Sequence, residues 1–396
     1  MADAVIVSTA RTGIGRAYRG AFNNTHGATL AGHVIKAAVE RARVEPGEVE
    51  DVIIGCALPE GATGQNIARQ AALRAGLPVS TGGVTVNRFC SSGMQAIAMA
   101  AQRVIVDRVP VMVAGGVESI SLVQNEHFNN HRIHEPWIDE HKPEVYMPMI
   151  DTAEVVAKRY YITREQQDEY ALASQQRTAA GQKSGRFDKE IVPIELDVPV
   201  DNGGGTATLT RTRFAVDEAI RETTLEKMAA LQPSFIPDGV VTAGNSSQIV
   251  DGSAAVLIAS EEKAAQLGLQ PRARFVSFGI AGVDPHLMLH GNPQACERAL
   301  AKASLTWDDI EVIEVNEAFA SVVLQFLADT GLRERYEAGD VNPNGGGISL
   351  GHPLGATGAR ITATLVSELE RRNARYGIGA MCIGFGQAIA GVVERL

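Results

Sequence analysis

The chain has 396 residues, of which 45% are hydrophobic, 21% are charged and 5% are aromatic. This is the composition of a globular protein with a sizeable core, and it excludes the disordered, collagen-like and coiled-coil classes. The net charge of −10 argues against sequence-independent nucleic-acid binding, which needs a basic surface to displace counterions from phosphates.

Short β-branched runs alternate with Ala-rich stretches of helical character from the N-terminus onward. In chain order, strands are predicted at 4–7, 52–56, 84–86 and 111–114, and helices at 29–42, 66–75 and 94–106. Alternation of this kind is typical of a sheet that is buried on both faces. The sequence therefore predicts an α/β fold.

The second half of the chain repeats the order of the first. Residues 48–57 are followed by Val86-Asn87, a turn, a helix and a strand, and residues 306–318 are followed in the same way by Val341-Asn342. The later copy continues into a Gly-rich turn, a predicted helix at 356–371 and a predicted strand at 378–382. We interpret this order as a duplication. The alternative is chance recurrence of common α/β turn residues.

The segment between the halves differs from both in character. It has two predicted helices, at 151–160 and 163–181, and the second begins with a capping box formed by Thr163 and Gln166. Its group of histidines has no carboxylate or cysteine at ligand spacing, so we interpret it as a solvated loop and predict no metal site. The histidines are His127, His131, His134 and His141.

We therefore predict three parts. They are an N-terminal half (1–118 plus 243–270), an inserted loop domain (119–242) and a C-terminal half (271–396).

Cysteine spacing and apolar runs indicate the cellular compartment of the protein and whether the chain spans a membrane. The four cysteines, at 56, 90, 296 and 382, show no paired spacing, which favours reduced thiols over zinc or disulfides. The run 376–393 has no charge, but its five glycines and one glutamine favour two buried strands joined by a tight turn over a membrane helix. A strand-like run begins at residue 4, so no signal peptide is predicted. We predict a cytoplasmic protein without a membrane span.

Two residues at matching strand-to-helix junctions are the first candidates for chemistry. Cys90, in NRFCSSGMQAI, is predicted at a helix N-terminus, where backbone amides lower a thiol pKa and favour a nucleophilic thiolate. His352, in GGGISLGHPLGATGAR, occupies the matching junction of the second half and would lie near Cys90 if the two helix N-termini converge. The alternatives are a buried structural cysteine and a histidine that merely precedes a helix.

Three further positions could assist such a nucleophile. Asn316, in EVNEAFA, ends a predicted strand and could hold a water or an oxyanion, or could simply cap the next helix. Cys382, in MCIGFG, could move a proton or be a packed core thiol. Gly384 could lend a backbone N–H to an oxyanion.

Four segments together resemble the active-site loops of the thiolases, enzymes that cleave 3-ketoacyl-CoA or condense two acetyl-CoA. They occur in the expected order and read NRFCSSGMQAI, NEAFA, GGGISLGHPLGATGAR and MCIGFG. The resemblance extends over nearly the whole chain. It implies a five-layer αβαβα fold built from two similar halves, with an inserted loop domain over the coenzyme A site, and a homodimer or homotetramer.

The resemblance also implies roles for the candidate residues. Cys90 would be the acylated nucleophile, His352 its activator, and Cys382 the acid or base at the acetyl-CoA methyl carbon. His352, with a water held by Asn316, would stabilise the enolate oxygen, and the amides of Cys90 and Gly384 would stabilise the acyl oxyanion.

For coenzyme A, which would be a substrate and not a permanently bound cofactor, the resemblance implies four binding residues. Ser247 would contact the pantetheine, and Arg221 the adenine end. Phe319 and Met149 would line the pantetheine and acyl tunnel. The alternative for Arg221 is a solvated helix residue.

Two departures from the biosynthetic thiolases favour a degradative enzyme for longer acyl chains. The last loop, CIGFGQA, has Phe385 and Ala388 where glycines are usual, and Pro148-Met149-Ile150 replaces a His-Met-Gly sequence. We therefore predict thiolytic cleavage of 3-ketoacyl-CoA. The alternatives are biosynthetic condensation of two acetyl-CoA, decarboxylating ketosynthase chemistry, which usually has a second His where this chain has Asn316, and a non-catalytic CoA or lipid binder.

Overall fold

A computed structural model describes residues 3–201, 207–234 and 236–396 of the chain. Twelve strands lie within these ranges. They are β1 (Ala4–Arg11), β2 (Gly15–Arg16), β3 (Asp51–Gly55), β4 (Val84–Val86), β5 (Val111–Glu118), β6 (Ile194–Asp201), β7 (Ala207–Phe214), β8 (Val250–Ser260), β9 (Ala273–Gly282), β10 (Val312–Val315), β11 (Tyr376–Ile383) and β12 (Gln387–Arg395).

The same ranges contain thirteen α-helices. They are α1 (Gly27–Ala42), α2 (Ile67–Arg74), α3 (Ser92–Val106), α4 (Ile120–Val123), α5 (Pro136–His141), α6 (Met149–Arg159), α7 (Arg164–Lys183), α8 (Leu225–Ala229), α9 (Glu261–Gln266), α10 (Asn292–Ala303), α11 (Ala320–Thr330), α12 (Arg333–Glu337) and α13 (Leu354–Arg372). Among the described helices, none is both long and apolar enough to cross a membrane.

The main sheet shows the duplication directly. Its strand order is β10-β11-β12-β9-β1-β8-β5-β3-β4. On one side of the centre, β3 pairs in parallel with β5, and β5 pairs antiparallel with β8. On the other side, β10 pairs in parallel with β11, and β11 antiparallel with β12. The two sets meet where Val5 of β1 faces Arg274 of β9.

Helices cover both faces of each strand set. The helices α1 and α2 pack outside the first set, α10 and α11 pack outside the second, and α3 and α13 lie between the two sets. Alternation along β3 follows this division, because Val52 and Ile54 face the outer core while Ile53 faces the central helices. The predicted five-layer αβαβα fold with two similar halves is confirmed.

Glycines let the two central helices approach closely. A Cβ atom placed on Gly93 of α3 would lie 2.7 Å from the Gly355 carbonyl oxygen and 2.8 Å from the Ala359 amide nitrogen of α13. A side chain there would force the helices apart, because these are shorter than van der Waals contacts.

The charge-free run near the C-terminus forms two buried strands, β11 and β12, as the sequence predicts. They pair from Tyr376 with Glu394 to Ile383 with Gln387. The tight turn between them contains Phe385 and Gly386, both with positive φ. This turn projects at the end of the sheet where the candidate site lies.

The segment between the halves is mostly helical, with one exposed hairpin, β6–β7. Thr163 and Gln166 form the predicted capping box at the start of α7. His134 stacks on Tyr146 and His141 stacks on Trp137, and among the described residues no His, Cys, Asp and Glu side chains form a group of three or more that could hold a metal ion. The boundaries 119–242 for this segment remain a proposal.

Candidate active site

The candidate residues converge on a cavity of about 450 Å³. It lies where the inserted segment covers the turn before α3 and the start of α13. Six of the predicted site residues line this cavity, together with apolar side chains of the inserted segment. These six are Cys90, His352, Gly384, Ser247, Phe319 and Met149.

Cys90 lies in a short 3₁₀ turn, Phe89–Ser91, immediately before α3. The backbone N–H groups of Cys90 and Gly384 face its sulfur and lower the thiol pKa, but burial is the larger effect and raises the pKa to about 12. The expectation that the helix N-terminus would give a low thiol pKa is therefore wrong, because desolvation outweighs the amides. The resting side chain is a neutral thiol that needs a base.

His352 can supply that base. Burial, together with the smaller effect of the positive charge of Arg360, lowers its pKa to about 3, so the imidazole is neutral. Its Nδ1 lies 2.7 Å from Thr357 Oγ1, and its Nε2 lies 3.3 Å from Asn316 Nδ2. With the amide in this orientation Asn316 donates to Nε2, so Nδ1 carries the proton and Nε2 is the basic atom.

Asn316 follows β10 and lies behind the cavity, where it contacts His352. It is buried, and its Oδ1 atom has no hydrogen-bond partner among the described groups. A buried amide oxygen without a partner can accept a hydrogen bond from a water or from a substrate group at little cost. The placement fits the predicted role better than a helix cap, because α11 begins only at Ala320 with Phe319 as its cap residue.

Cys382 lies near the end of β11 and is fully buried behind the cavity wall. Burial raises the pKa of its thiol, and the neighbouring Cys90 raises it further. The structure therefore brings the two predicted thiols near each other. It keeps both protonated at rest.

Phe385 occupies a left-handed backbone conformation, with φ of 65°. Glycine is the usual residue for such a position because it has no Cβ to clash with the carbonyl. The Phe385 ring lines the same cavity as Cys90. It lies against the Phe89 ring with centroids 4.8 Å apart, at the cavity wall.

Glu118, which was not predicted from the sequence, has a buried carboxylate that joins the loops of the site. It accepts hydrogen bonds from the backbone N–H groups of Ala57 (2.9 Å), Leu58 (3.2 Å) and Gly355 (2.8 Å). Burial raises its pKa, and these three amides oppose that change. An acidic residue at the end of the Gly-Gly strand β5 is the sequence feature that indicates this role.

A second carboxylate, Glu317, serves the other half. It accepts hydrogen bonds from the Tyr170 hydroxyl (2.7 Å), the Ser174 hydroxyl (2.7 Å) and the Ile348 amide (3.1 Å). Tyr170 and Ser174 belong to α7, so Glu317 ties the inserted segment to the loop that precedes His352.

A neighbouring cavity of about 470 Å³ shares Ser247 with the first. Arg221 lines it together with Arg16 and Arg19, two residues that were not predicted from the sequence. No carboxylate is among the described residues that line this cavity. Arg16 and Arg221 are close enough that the charge of Arg16, after burial, lowers the pKa of Arg221. A cluster of arginines around one opening suits an anionic ligand.

A duplicated αβαβα fold with a cysteine and a histidine at the starts of its two central helices defines a class of acyltransferases. The family models of "Thiolase, N-terminal domain" and "Thiolase, C-terminal domain" match residues 4–262 and 269–395. The chain belongs to the thiolase family.

Several named relatives cover the full chain. A 3-ketoacyl-CoA thiolase of Bacillus subtilis (strain 168) is 43% identical over 396 residues, with 100% of both chains covered. An acetyl-CoA acetyltransferase of Cupriavidus necator is 42% identical over 406 residues, again with 100% of both covered.

Solved structures agree with these relatives. The Bacillus anthracis acetyl-CoA acetyltransferase superposes with a TM-score of 0.89 at 40% identity, covering 100% of this chain and 99% of that one. Human mitochondrial 3-ketoacyl-CoA thiolase gives 0.88 at 38% identity, with the same coverage.

The raised thiol pKa predicts how Cys90 reacts in the absence of substrate. Alkylation by iodoacetamide should accelerate about tenfold per pH unit between about pH 7 and pH 9.5, because the thiolate fraction grows tenfold per unit below the pKa. Peptide mass spectrometry of Cys90 measures the rate, and the buried Cys296 is the internal control that should stay unlabelled. A rate that levels off near neutral pH would contradict the neutral resting thiol.

Proposed function

We propose that the protein cleaves 3-ketoacyl-CoA thiolytically, giving an acyl-CoA shortened by two carbons and acetyl-CoA through an acyl-enzyme on Cys90. The observation that carries this proposal is the arrangement around one sulfur. Cys90 and the neutral His352 line the same apolar cavity, and two backbone N–H groups face the thiol. A buried nucleophile, a base and an oxyanion site are the parts that acyl transfer needs.

The first step forms the acyl-enzyme. His352 Nε2 takes the thiol proton as the Cys90 sulfur attacks the C3 ketone carbon of the substrate. The electron pair of the ketone moves to its oxygen, which accepts hydrogen bonds from the amides of Cys90 and Gly384. One such donor contributes about 3 to 4 kcal/mol to lowering the barrier.

Carbon–carbon cleavage follows. As the C3 carbonyl re-forms on the enzyme, the C2–C3 bond breaks and its electron pair passes to the acetyl-CoA enolate. The protonated His352 stabilises the enolate oxygen, together with a water that donates one hydrogen bond to Asn316 Oδ1 and one to that oxygen. Cys382 then gives its thiol proton to C2, a transfer favoured by the high pKa of a buried thiol that holds its proton until a strong carbon base appears.

The second half-reaction restores the enzyme. The thiol of incoming CoA gives its proton to the Cys382 thiolate and attacks the acyl carbonyl on Cys90. Cys90 leaves as a thiolate and recovers its proton from His352. Every proton and electron pair is carried by these side chains and by CoA, which is a substrate in this scheme and not a resident cofactor.

The two adjoining cavities support a route for CoA. Arg16, Arg19 and Arg221 would meet its phosphates and adenine, and Ser247, where the cavities join, would contact the pantetheine. Phe319 and Met149 would border the pantetheine and acyl tunnel. Local arginines of this kind reconcile an anionic substrate with a net charge of −10.

The alternatives have less support. Condensation of two acetyl-CoA uses the same groups in reverse, but the largely apolar cavity is suited to more than a methyl group. A non-catalytic binder would not need Cys90, His352, Asn316 and Cys382 together around one site.

We also propose a cytoplasmic homodimer or homotetramer. Four free cysteines fit a reducing compartment. The edge strand β4 offers an unpaired rim with the exposed side chain of Val84, which a second copy could cover.

Replacing the nucleophile tests the proposal. Cys90→Ser should lower 3-ketoacyl-CoA thiolysis by about 1,000-fold or more, since a serine hydroxyl is a far weaker nucleophile beside the same base. The wild type, mixed with acyl-CoA, should gain the acyl mass on the Cys90 peptide. Cys296→Ala, at a buried thiol outside the cavity, should keep turnover and the adduct. Wild-type turnover in Cys90→Ser would overturn the assignment.

Cys382→Ala should separate the two half-reactions. Acyl transfer from acyl-CoA to Cys90 should persist, whereas deuterium exchange into the acetyl-CoA methyl group should fall about 100-fold or more, because the proton donor to C2 is lost. Mass spectrometry of the adduct and proton NMR of the exchange measure the two steps. Undiminished exchange in this variant would remove Cys382 from the mechanism.

Arg221→Gln and Arg16→Gln should each raise KM for the CoA thioester about five- to tenfold with little change in kcat, because they remove contacts to a part of the substrate that does not react. Steady-state kinetics at two salt concentrations measures this, and the wild-type KM should rise more steeply with salt than that of either variant. Arg333→Gln, at an exposed arginine paired with Glu337, is the matched control. An unchanged KM in both site variants would place CoA elsewhere.

A further inference from the structure

Two phenylalanines with left-handed backbones flank the reacting sulfur. Phe89, with φ of 45°, immediately precedes Cys90, and Phe385, with φ of 65°, immediately follows Gly384. Left-handed backbone is uncommon for any residue with a bulky side chain and carries a conformational cost. A glycine would avoid this cost at either position, so the rings must contribute something that a glycine cannot.

The rings hold one another in a fixed arrangement. Phe89 and Phe385 meet edge to face, and Phe385 meets Tyr146 of the inserted segment in the same way, with centroids 5.9 Å apart. Tyr146 is itself fixed, since it stacks on His134 at 3.9 Å and its hydroxyl accepts the Glu135 amide at 2.9 Å. We call Phe89, Tyr146 and Phe385 the aromatic wall.

The aromatic wall stands beside the position of the acyl group. The amide of Gly384 faces the Cys90 sulfur, so the next side chain borders whatever that sulfur carries. Phe385 lines the cavity, yet 46% of its surface is exposed. Because the ring is partly exposed, an acyl chain that packs against it removes apolar surface of both the chain and the ring from water, which favours binding.

The other residues that line the cavity favour an apolar, uncharged acyl group. Ile133, Met147 and Met288 add apolar surface, and the described residues that line the cavity include Glu144 but no lysine or arginine. A carboxylate at the far end of an acyl chain would meet no lysine or arginine among these lining residues. It would be repelled by Glu144.

We propose that Phe385 is a specificity-determining residue that selects 3-ketoacyl-CoA substrates with an extended, uncharged acyl chain, because its ring provides the part of the aromatic wall against which that chain packs. This inference rests on the proposed thiolase activity. It adds the class of acyl group that the site favours.

The test compares chain-length selectivity, expressed as the ratio of kcat/KM for 3-ketodecanoyl-CoA to kcat/KM for acetoacetyl-CoA. Burial of one methylene is worth about a fourfold preference, so a ring that covers roughly two methylenes contributes about tenfold or more. Phe385→Gly should lower the ratio by this amount. Phe385→Leu, which keeps an apolar side chain, should lower it by about threefold.

Tyr161→Gly is the matched control. Tyr161 is also an aromatic residue with positive φ, 55°, and is 89% exposed outside the nucleophile cavity. Both glycine variants relieve the same kind of backbone strain, so both should fold, and thermal unfolding checks this. The control should leave the ratio at its wild-type value.

The possible results distinguish a role of Phe385 in selectivity from a purely structural role and from a failure of the proposed activity. A ratio that falls in Phe385→Gly and stays constant in Tyr161→Gly supports the inference. An unchanged or increased ratio, or an equal loss on both substrates, overturns it, the last because the ring would then only position the Gly384 amide. If the wild type cleaves neither substrate, the proposed activity itself fails, which is a different result from active enzyme with unaltered selectivity.

Discussion

The carboxylate of Glu118 joins three chain segments that are distant in sequence. Glu118 is the last residue of β5. Its carboxylate accepts hydrogen bonds from the backbone N–H groups of Ala57 and Leu58, which follow β3, and from the N–H group of Gly355 at the start of α13. Burying a carboxylate is costly, and only several N–H donors with good geometry offset that cost. Because His352 lies three residues before Gly355, the position of the base relative to the Cys90 turn depends on this carboxylate.

Glu317 also joins separate segments, but it lies in the second half and connects the inserted segment to that half. Its donors come from α7 and from the loop before His352, so it fixes the inserted segment over the site. The duplicated scaffold thus uses two buried acids at the ends of its strands. Glu118 positions α13, the helix that follows His352. Glu317 positions the inserted segment, which covers the cavity.

The elements could be predicted from local patterns in the sequence, whereas the proposed membership of the site came largely from the resemblance of four segments to the active-site loops of the thiolases. The strand at 84–86, the capping box of Thr163 and the two buried strands near the C-terminus follow from periodicity and turn residues. The thiol pKa of Cys90 could not, because it depends on burial that only the assembled layers determine. Arg16 and Arg19 were missed for a similar reason, since a surface arginine acquires a role only from neighbours distant in sequence.

The chain has 40 glycines among its 396 residues, and some of them serve the packing of helices. Gly93 of α3 and Gly358 of α13 allow the two central helices to touch almost backbone to backbone, close to the residues that precede each helix, Cys90 and His352. Two properties of the site therefore depend on different residues: the spacing of the nucleophile and the base, and the shape of the acyl pocket. The distance between nucleophile and base is determined by an interface with no room for variation, while the acyl pocket is formed by side chains on turns and on the inserted segment. Substrate range can thus diversify, in evolution or by engineering, without disturbing the reacting pair.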